Sequence, residues 1–375
     1  GIFYETPNYY QLTAFANTQP YSIQQTVNSP ASFSNPYAGL VDPFPYHPPI
    51  TAAERQAFQF LLPVTIGESI DQNLVGGYMQ QWNFNVQHET VENIVLTAGY
   101  VGSKGTHLPL QVESNPAIYA AGATLANVNA RRVYGTDFAS IANYASIGDS
   151  TYHALQLSLN KRFSRGFTVL ASYTYAKSID NGSTDTLGGW QDPRNLTAEK
   201  AVSDFDVPQR FVGSFLWALP APGARAAKAI LGGWQWNGIV TLQSGTPVKI
   251  VSGQDRYLAG TGSQRPNLVG DPAVANPGIA EWFNPAAFAL PALGTYGNLG
   301  RNILFGPGSK NVDLSLFREF KIVERFRLQL RAEAFNSLNH PNFTNPVATS
   351  TSANAGRILS AADPRILQFA LRLRF

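Results

Sequence analysis

The chain closes on Leu367-Gln-Phe-Ala-Leu-Arg-Leu-Arg-Phe375. Leu367, Phe369, Leu371, Leu373 and Phe375 alternate with Gln368, Ala370, Arg372 and Arg374. A period of two is the period of a β-strand, whose side chains point to opposite faces in turn. One face of this strand suits an oily medium; the other carries two guanidinium groups. Soluble domains usually trail off in a poorly ordered tail. A chain that stops on Phe375, still in register, asks for a neighbouring strand and an apolar surrounding.

The same alternation recurs upstream in segments of about ten residues. They lie at 78–88, 92–101, 151–163, 167–177, 209–219, 234–244, 311–320, 325–336 and 366–375. With a stub at 1–4 they make about nine or ten strands, and their lengths match the roughly 9–11 residues a tilted strand needs to cross a bilayer. In 167–177 the apolar face is Phe167, Val169, Ala171, Tyr173 and Tyr175, opposite Thr168, Ser172 and Thr174. In 325–336 it is Phe326, Leu328, Leu330, Ala332 and Ala334, opposite Arg327, Gln329, Arg331 and Glu333. In 234–244, Trp234, Trp236, Val240 and Leu242 oppose Gln235, Asn237, Thr241 and Gln243.

A soluble β-sandwich alternates too, with its polar face in water. The connections separate the two possibilities. Short links at 88–92, 164–166 and 321–324 alternate with long ones at 102–150, 178–208, 245–310 and 337–365, and 220–233 is intermediate. Sorting loop length by sheet end is the layout of an outer-membrane barrel, with short turns in the periplasm and long loops outside. The last strand then runs inward. Phe369, Leu371, Leu373 and Phe375 have the form in which such barrels present their final strand to the barrel-assembly machinery. The fold class expected is all-β, an antiparallel transmembrane β-barrel in the bacterial outer membrane. Trp217, Trp234, Trp236, Tyr173 and Tyr175 cluster near strand ends. They fit an interfacial girdle or, alternatively, a core of aromatics.

Composition agrees. Charged residues are 14% of the chain, against roughly 25% in globular proteins. Aromatics reach 12%, and the 32 Gly and 25 Pro suit strands joined by irregular loops. No run approaches the roughly 18 apolar residues of a membrane helix. Cysteine is absent, which excludes disulfides, Cys-ligated zinc and thiol catalysis. The net charge of +3 is scattered and leaves no nucleic-acid footprint. Gly1-Ile-Phe-Tyr-Glu5 has neither an initiator Met nor a signal-peptide layout, and it reads as a strand end. Residues 1–375 are therefore expected to be the C-terminal portion of a longer barrel chain.

No catalytic constellation stands out, so no enzymatic activity and no cofactor are expected. His47, His88, His107, His153 and His340 have no metal spacing. Gly297-Asn-Leu-Gly300 lacks the context of a phosphate loop and is expected as an outer turn. Asp180, Asp185, Asp192, Asp204 and Asp206 gather in one outer loop; calcium is one reading, a solvated loop the favoured one. The functional lead is the polar face of the last strands: Arg327, Gln329, Arg331, Glu333, Gln368, Arg372 and Arg374. It is either a wall that packs against a plug or a generic hydrated barrel wall. Substrate recognition falls to the long outer loops.

Several stretches in order resemble a known family. They are Tyr78-Met-Gln-Gln-Trp-Asn-Phe-Asn-Val-Gln87 with Ala98-Gly-Tyr-Val-Gly-Ser-Lys-Gly-Thr-His107, then Thr151-Tyr-His-Ala-Leu-Gln156 and Ser172-Tyr-Thr-Tyr-Ala-Lys-Ser178. Asp206-Val-Pro-Gln-Arg-Phe211, Gly297-Asn-Leu-Gly-Arg-Asn302, Asn311-Val-Asp-Leu-Ser-Leu-Phe317 and the run from Ala332 to Phe343 follow. The set resembles the C-terminal barrel of TonB-dependent outer-membrane receptors, in their Oar-like branch with a carboxypeptidase-regulatory-like domain. The resemblance implies a 22-stranded barrel, an N-terminal plug, a TonB-contacting box, and energised passage of a substrate. The plug, the box and more than half of those strands lie outside this sequence. A surface-display or adhesion barrel, a passive porin and a secreted soluble β-protein are the alternatives.

Overall fold

The computed structural model describes residues 1–5, 18–23, 32–39, 42, 44–184, 190–221, 223, 232–261, 264–323 and 325–375. Alternation does build strands. In chain order they are β1 (Ile2–Tyr4), β2 (Val64–Ile70), β3 (Tyr78–Val91), β4 (Ile94–Glu113), β5 (Phe138–Ser164), β6 (Phe167–Asp180), β7 (Ala201–Val202), β8 (Gln209–Ala218) and β9 (Trp234–Gln243). Next come β10 (Pro247–Val248), β11 (Asn267–Leu268), β12 (Phe288–Ala289), β13 (Leu304–Phe305), β14 (Ser309–Lys321), β15 (Arg327–Phe335) and β16 (Ile366–Arg374). A single short α-helix, α1 (Ala52–Ala57), is seen among the described residues and is capped by Thr51 and Glu54.

One 12-stranded sheet dominates, with the path β1-β3-β4-β5-β6-β8-β9-β14-β15-β16. Every step on that path is antiparallel. The ten strands expected from alternation are the ten on the path. Register keeps each face continuous across the sheet, as a period of two demands. The row Val86–Ala98–Leu157–Tyr173–Phe211–Leu242 is apolar, while its neighbour Asn85–Gly99–Gln156–Thr174–Arg210–Gln243 lies on the other face. Strands β1 and β16 are the sheet's two edges, so the described strands form an open sheet.

The short turns share one end. Between β5 and β6 the link is Arg165-Gly166, with φ of +51° and +80°. Positive φ at both positions is the two-residue hairpin turn that matches strand twist, and Gly tolerates it without strain. Asn93 between β3 and β4 is also at positive φ, +70°.

Among the described residues nothing covers the apolar face. On β16 alone, Phe369 is 76% and Leu371 67% exposed. Such a surface is stable only against hydrocarbon. Trp217, Trp234, Trp236, Tyr173 and Tyr175 all lie on this face and none is buried, so they are not a protein core. Trp217, Trp234 and Trp236 lie at the short-turn end and Tyr175 near the other end. Tyr173 falls between these rims, in the middle row. Tyr100 joins the far rim, where its hydroxyl hydrogen-bonds His153 Nδ1 at 2.7 Å.

Three features differ from expectation. The link expected at 102–150 is largely sheet, because β4 and β5 stay paired out to Glu113 and Ala142 and leave 114–137 as the loop. Strand β2 adds to β5 in parallel through Val64–Phe138 and Ile70–Tyr144. The long outer loops are folded. Val248, Ile250, Phe283, Ala287, Phe288 and Leu299 form a buried cluster, with Trp282, Leu304 and Ala348 packed against it. Short ladders β10–β13 and β11–β12 and the bridge Val251–Thr349 hold the 245–308 and 337–365 loops together.

Candidate functional site

Register decides which polar side chains meet. Across β15 and β16 the pairs Arg327–Arg374, Gln329–Arg372, Arg331–Ala370 and Glu333–Gln368 all fall on the polar face. All seven expected residues therefore share one patch. Two arginines directly opposite would repel. Glu319 of β14 sits between them, 2.8 Å from Arg327 Nη1 and 3.6 Å from Arg374 Nη1. Arg331 pairs with Glu333 at 3.4 Å and lies over the Phe317 ring, 5.5 Å from its centroid. These groups are substantially exposed, so each pair contributes only about 0–1 kcal/mol. Glu319 was not singled out in the sequence, although it follows Asp313, Ser315 and Phe317 at a spacing of two.

On the apolar face, Phe369, Leu371 and Leu373 stand opposite Ala332, Leu330 and Leu328. Phe375 extends that line, 6.4 Å from the Phe326 ring.

The outer end is held by buried charge. Arg265 and Glu199 are both nearly inaccessible and meet bidentately, at 2.6 and 3.1 Å. Arg265 Nε donates to the Leu299 carbonyl at 2.7 Å, and Gln191 bonds both the Arg265 amide and the Gly297 carbonyl. Arg301 donates to the Asp180 carboxylate and, at 3.1 Å, to Asp204 and to the Glu199 carbonyl. Asp206 accepts from the Ser178 amide at 2.7 Å. Burial pushes the Asp206 carboxyl above the usual carboxylate range, against the lowering effects of the Ser178 amide and Lys177.

The described aspartates of this loop are thus tied into the fold by hydrogen bonds and ion pairs. Asp180, Asp204 and Asp206 anchor backbone and arginine, Asp192 pairs with Arg194 at 3.0 Å, and Asp185 lies outside the described residues. Gly297-Asn-Leu-Gly300 is likewise not a simple outer turn. A Cβ on Gly297 would fall 2.1 Å from the Arg265 carbonyl oxygen, so glycine is required for the two backbones to pack. The signal for Arg301 lay in that stretch; Glu199 and Arg265 had none.

Three outer loops also converge on an aromatic cluster. Tyr257 and Tyr296 stack with centroids 4.1 Å apart and planes at 9°, and Tyr119 stands 6.2 Å from Tyr257. The Arg194 guanidinium lies 5.3 Å over the Tyr257 ring and donates to its hydroxyl at 3.0 Å. Burial, then Asp192, raises the Tyr296 hydroxyl above the ordinary phenol range and keeps it neutral. Flat rings beside a fixed cation offer stacking and hydrogen bonds.

Comparison with known proteins agrees with the geometry. The profile of the family described as "Outer membrane beta barrel domain" matches residues 1–368. No curated protein matches the chain significantly. Among solved structures, the outer membrane transporter YddB of Escherichia coli is similar at a TM-score of 0.47 and 12% identity, covering 83% of this chain and 34% of that one. The siderophore receptor PiuA of Acinetobacter baumannii gives 0.41 and 11%, with 79% and 28% covered. The ferripyoverdine receptor of Pseudomonas aeruginosa gives 0.42 and 13%, with 80% and 28% covered. The chain spans about a third of the length of the solved barrels it resembles. An antiparallel meander with an uncovered apolar face, short turns at one end and a family match over nearly its whole length make this chain a member of the outer membrane β-barrel domain family, resident in the bacterial outer membrane.

Proposed function

We propose that the chain is wall and mouth of a TonB-dependent receptor of the Oar-like branch, passing a substrate inward with energy delivered through TonB. The observation that carries this reading is the asymmetry of the sheet: two-residue turns at one end, folded and ion-paired loops at the other. The Tyr119, Tyr257, Tyr296 and Arg194 cluster is the substrate-contacting candidate. The polar face at Arg327, Gln329, Arg331, Glu333, Gln368, Arg372 and Arg374 is the wall on which a plug rests. Phe369, Leu371, Leu373 and Phe375 are the signal to the assembly machinery. No covalent chemistry is performed.

The test is made on the receptor purified from outer membranes. In a planar bilayer it should carry no steady current, and in cells it should cross-link to TonB. A steady ohmic current without a TonB cross-link would replace this reading with a passive porin. Absence of both would favour a display barrel, the second reading, which the buried loop cluster around Phe283 supports.

A further inference from the structure

The apolar face is not smooth. Toward the short-turn end it carries two adjoining depressions. One, of about 650 Å³, crosses β6, β8 and β9 between Val169, Gly213, Trp217 and Trp236. The other, of about 530 Å³, crosses β3 to β6 and reaches Leu96, Leu157 and Tyr173. They meet at a ridge formed by Ala171 and Phe211, which line both. Gly238 leaves room for the Phe215 ring that lines the first one, since a Cβ there would lie 2.4 Å from that ring.

The β5–β6 turn hangs at the foot of that ridge. It brings Lys161, Arg162 and Arg165 within five residues, and no acidic residue occurs between Asp149 and Asp180. Lys161 Nζ bends back to the Phe167 carbonyl at 2.9 Å and lies 5.5 Å over the Phe167 ring, as a lysine does at a membrane interface. Arg165 is exposed and forms no ion pair among the described residues, while Arg162 follows Asn160 at a spacing of two and so falls on the polar face. The neighbouring β3–β4 turn has the opposite sign, with Glu89 and Glu92. The rim is therefore not uniform: it is acidic at the β3–β4 turn and basic at the β5–β6 turn, and the 219–233 link adds Arg225 and Lys228.

Short turns mark the periplasmic side, where the leaflet consists of phospholipid. We propose that this is a binding site for one anionic diacyl phospholipid of the inner leaflet. One acyl chain occupies each depression, and the phosphate faces Lys161 and Arg165. Two chains joined at one head group match two depressions joined at one basic turn. Neutral lipid lacks the charge match, and lipid A belongs to the other leaflet.

The experiment is native mass spectrometry of the intact receptor, purified in mild detergent and titrated in turn with phosphatidylglycerol, phosphatidylcholine and lipid A. One phosphatidylglycerol should be retained in preference to phosphatidylcholine. The double variant Lys161→Gln/Arg165→Gln should weaken that retention roughly tenfold or more, since each basic residue near the surface contributes to anionic-lipid affinity. Gly213→Leu, which fills the first depression, should weaken it too. Arg357→Gln, in an outer loop, should not. Heat-modifiable gel mobility checks that each variant is folded; if Gly213→Leu is not, the double variant alone decides. Equal retention of both phospholipids by parent and double variant, meaning annular lipid only, overturns the proposal. So does preferential retention of lipid A, or a co-purifying protein that displaces phosphatidylglycerol from this face.

Discussion

Arg301 shows how much a single side chain can organise. It joins Asp180 at the end of β6 to Asp204 in the next loop, 121 and 97 positions away in sequence. Removing one partner from a buried ion pair leaves the other charged and unpaired, which costs about 3–5 kcal/mol. Arg301→Met is therefore expected to loosen the outer loops while sparing the strands. Limited proteolysis should then cut within 190–206 and 245–308 and leave the membrane-embedded sheet intact. Asp206 gives a pH test. Its carboxyl is raised by burial, so the folded loop binds a proton more readily than the unfolded one. Its stabilising contribution is complete below the unfolded carboxylate pKa and fades as pH rises through the folded value. Asp206→Asn keeps an acceptor for the Ser178 amide and removes the titration. The parent loops should gain protection on acidification in hydrogen exchange, relative to the variant; parallel profiles would refute this.

At the scale of the element, the final strand carries two separable properties. Its apolar face needs lipid, and its terminus is a proposed recognition signal. Leu371→Lys puts a charge on the lipid face and should destabilise by about 2–4 kcal/mol near mid-bilayer, measured by urea titration of the refolded receptor in vesicles. Phe375→Ser should leave that stability nearly unchanged but lower the amount of folded barrel recovered from cells. If both variants behave alike in vesicles and in cells, the two properties are not separable. The β5–β6 turn is a second element with one decisive residue. A β-branched side chain at a φ of +80° is strained, so Gly166→Val should slow hairpin formation and cost about 1–2 kcal/mol.

For the whole molecule the question is what covers the two exposed surfaces. The apolar face is covered by lipid. The polar face is proposed to hold a plug, and Arg327→Ala with Arg372→Ala tests this on the intact receptor. Bilayer conductance and protease sensitivity of the plug should both rise. Unchanged values would leave the patch as plain hydrated wall. The edges β1 and β16 add a constraint. Unpaired backbone groups in hydrocarbon cost several kcal/mol each, so in a membrane both edges must find strands to pair with.

The ten strands of the main path, their two faces and the end to which each connection belongs could be read from residue types alone. Side-chain alternation is local: it repeats every two residues and needs no knowledge of neighbours. Positive-φ turns also declare themselves locally, as at Arg165-Gly166. The site was legible only in part. Arg327, Gln329, Arg331, Glu333, Gln368, Arg372 and Arg374 could be assigned to one face, but their bridging partner Glu319 emerged only from register. Strand β2 was missed because Glu68 interrupts its alternation and its partner lies in parallel some 70 residues on. The Asp180–Arg301 and Glu199–Arg265 pairs, the Tyr257–Tyr296 stack and the Phe283 cluster depend on how long loops fold back over one another. The sequence by itself determined which faces meet oil and which meet water, since that is written in a two-residue period. Only the tertiary structure decided which buried charges meet and where the apolar face is hollow, because those contacts join residues that no local pattern relates.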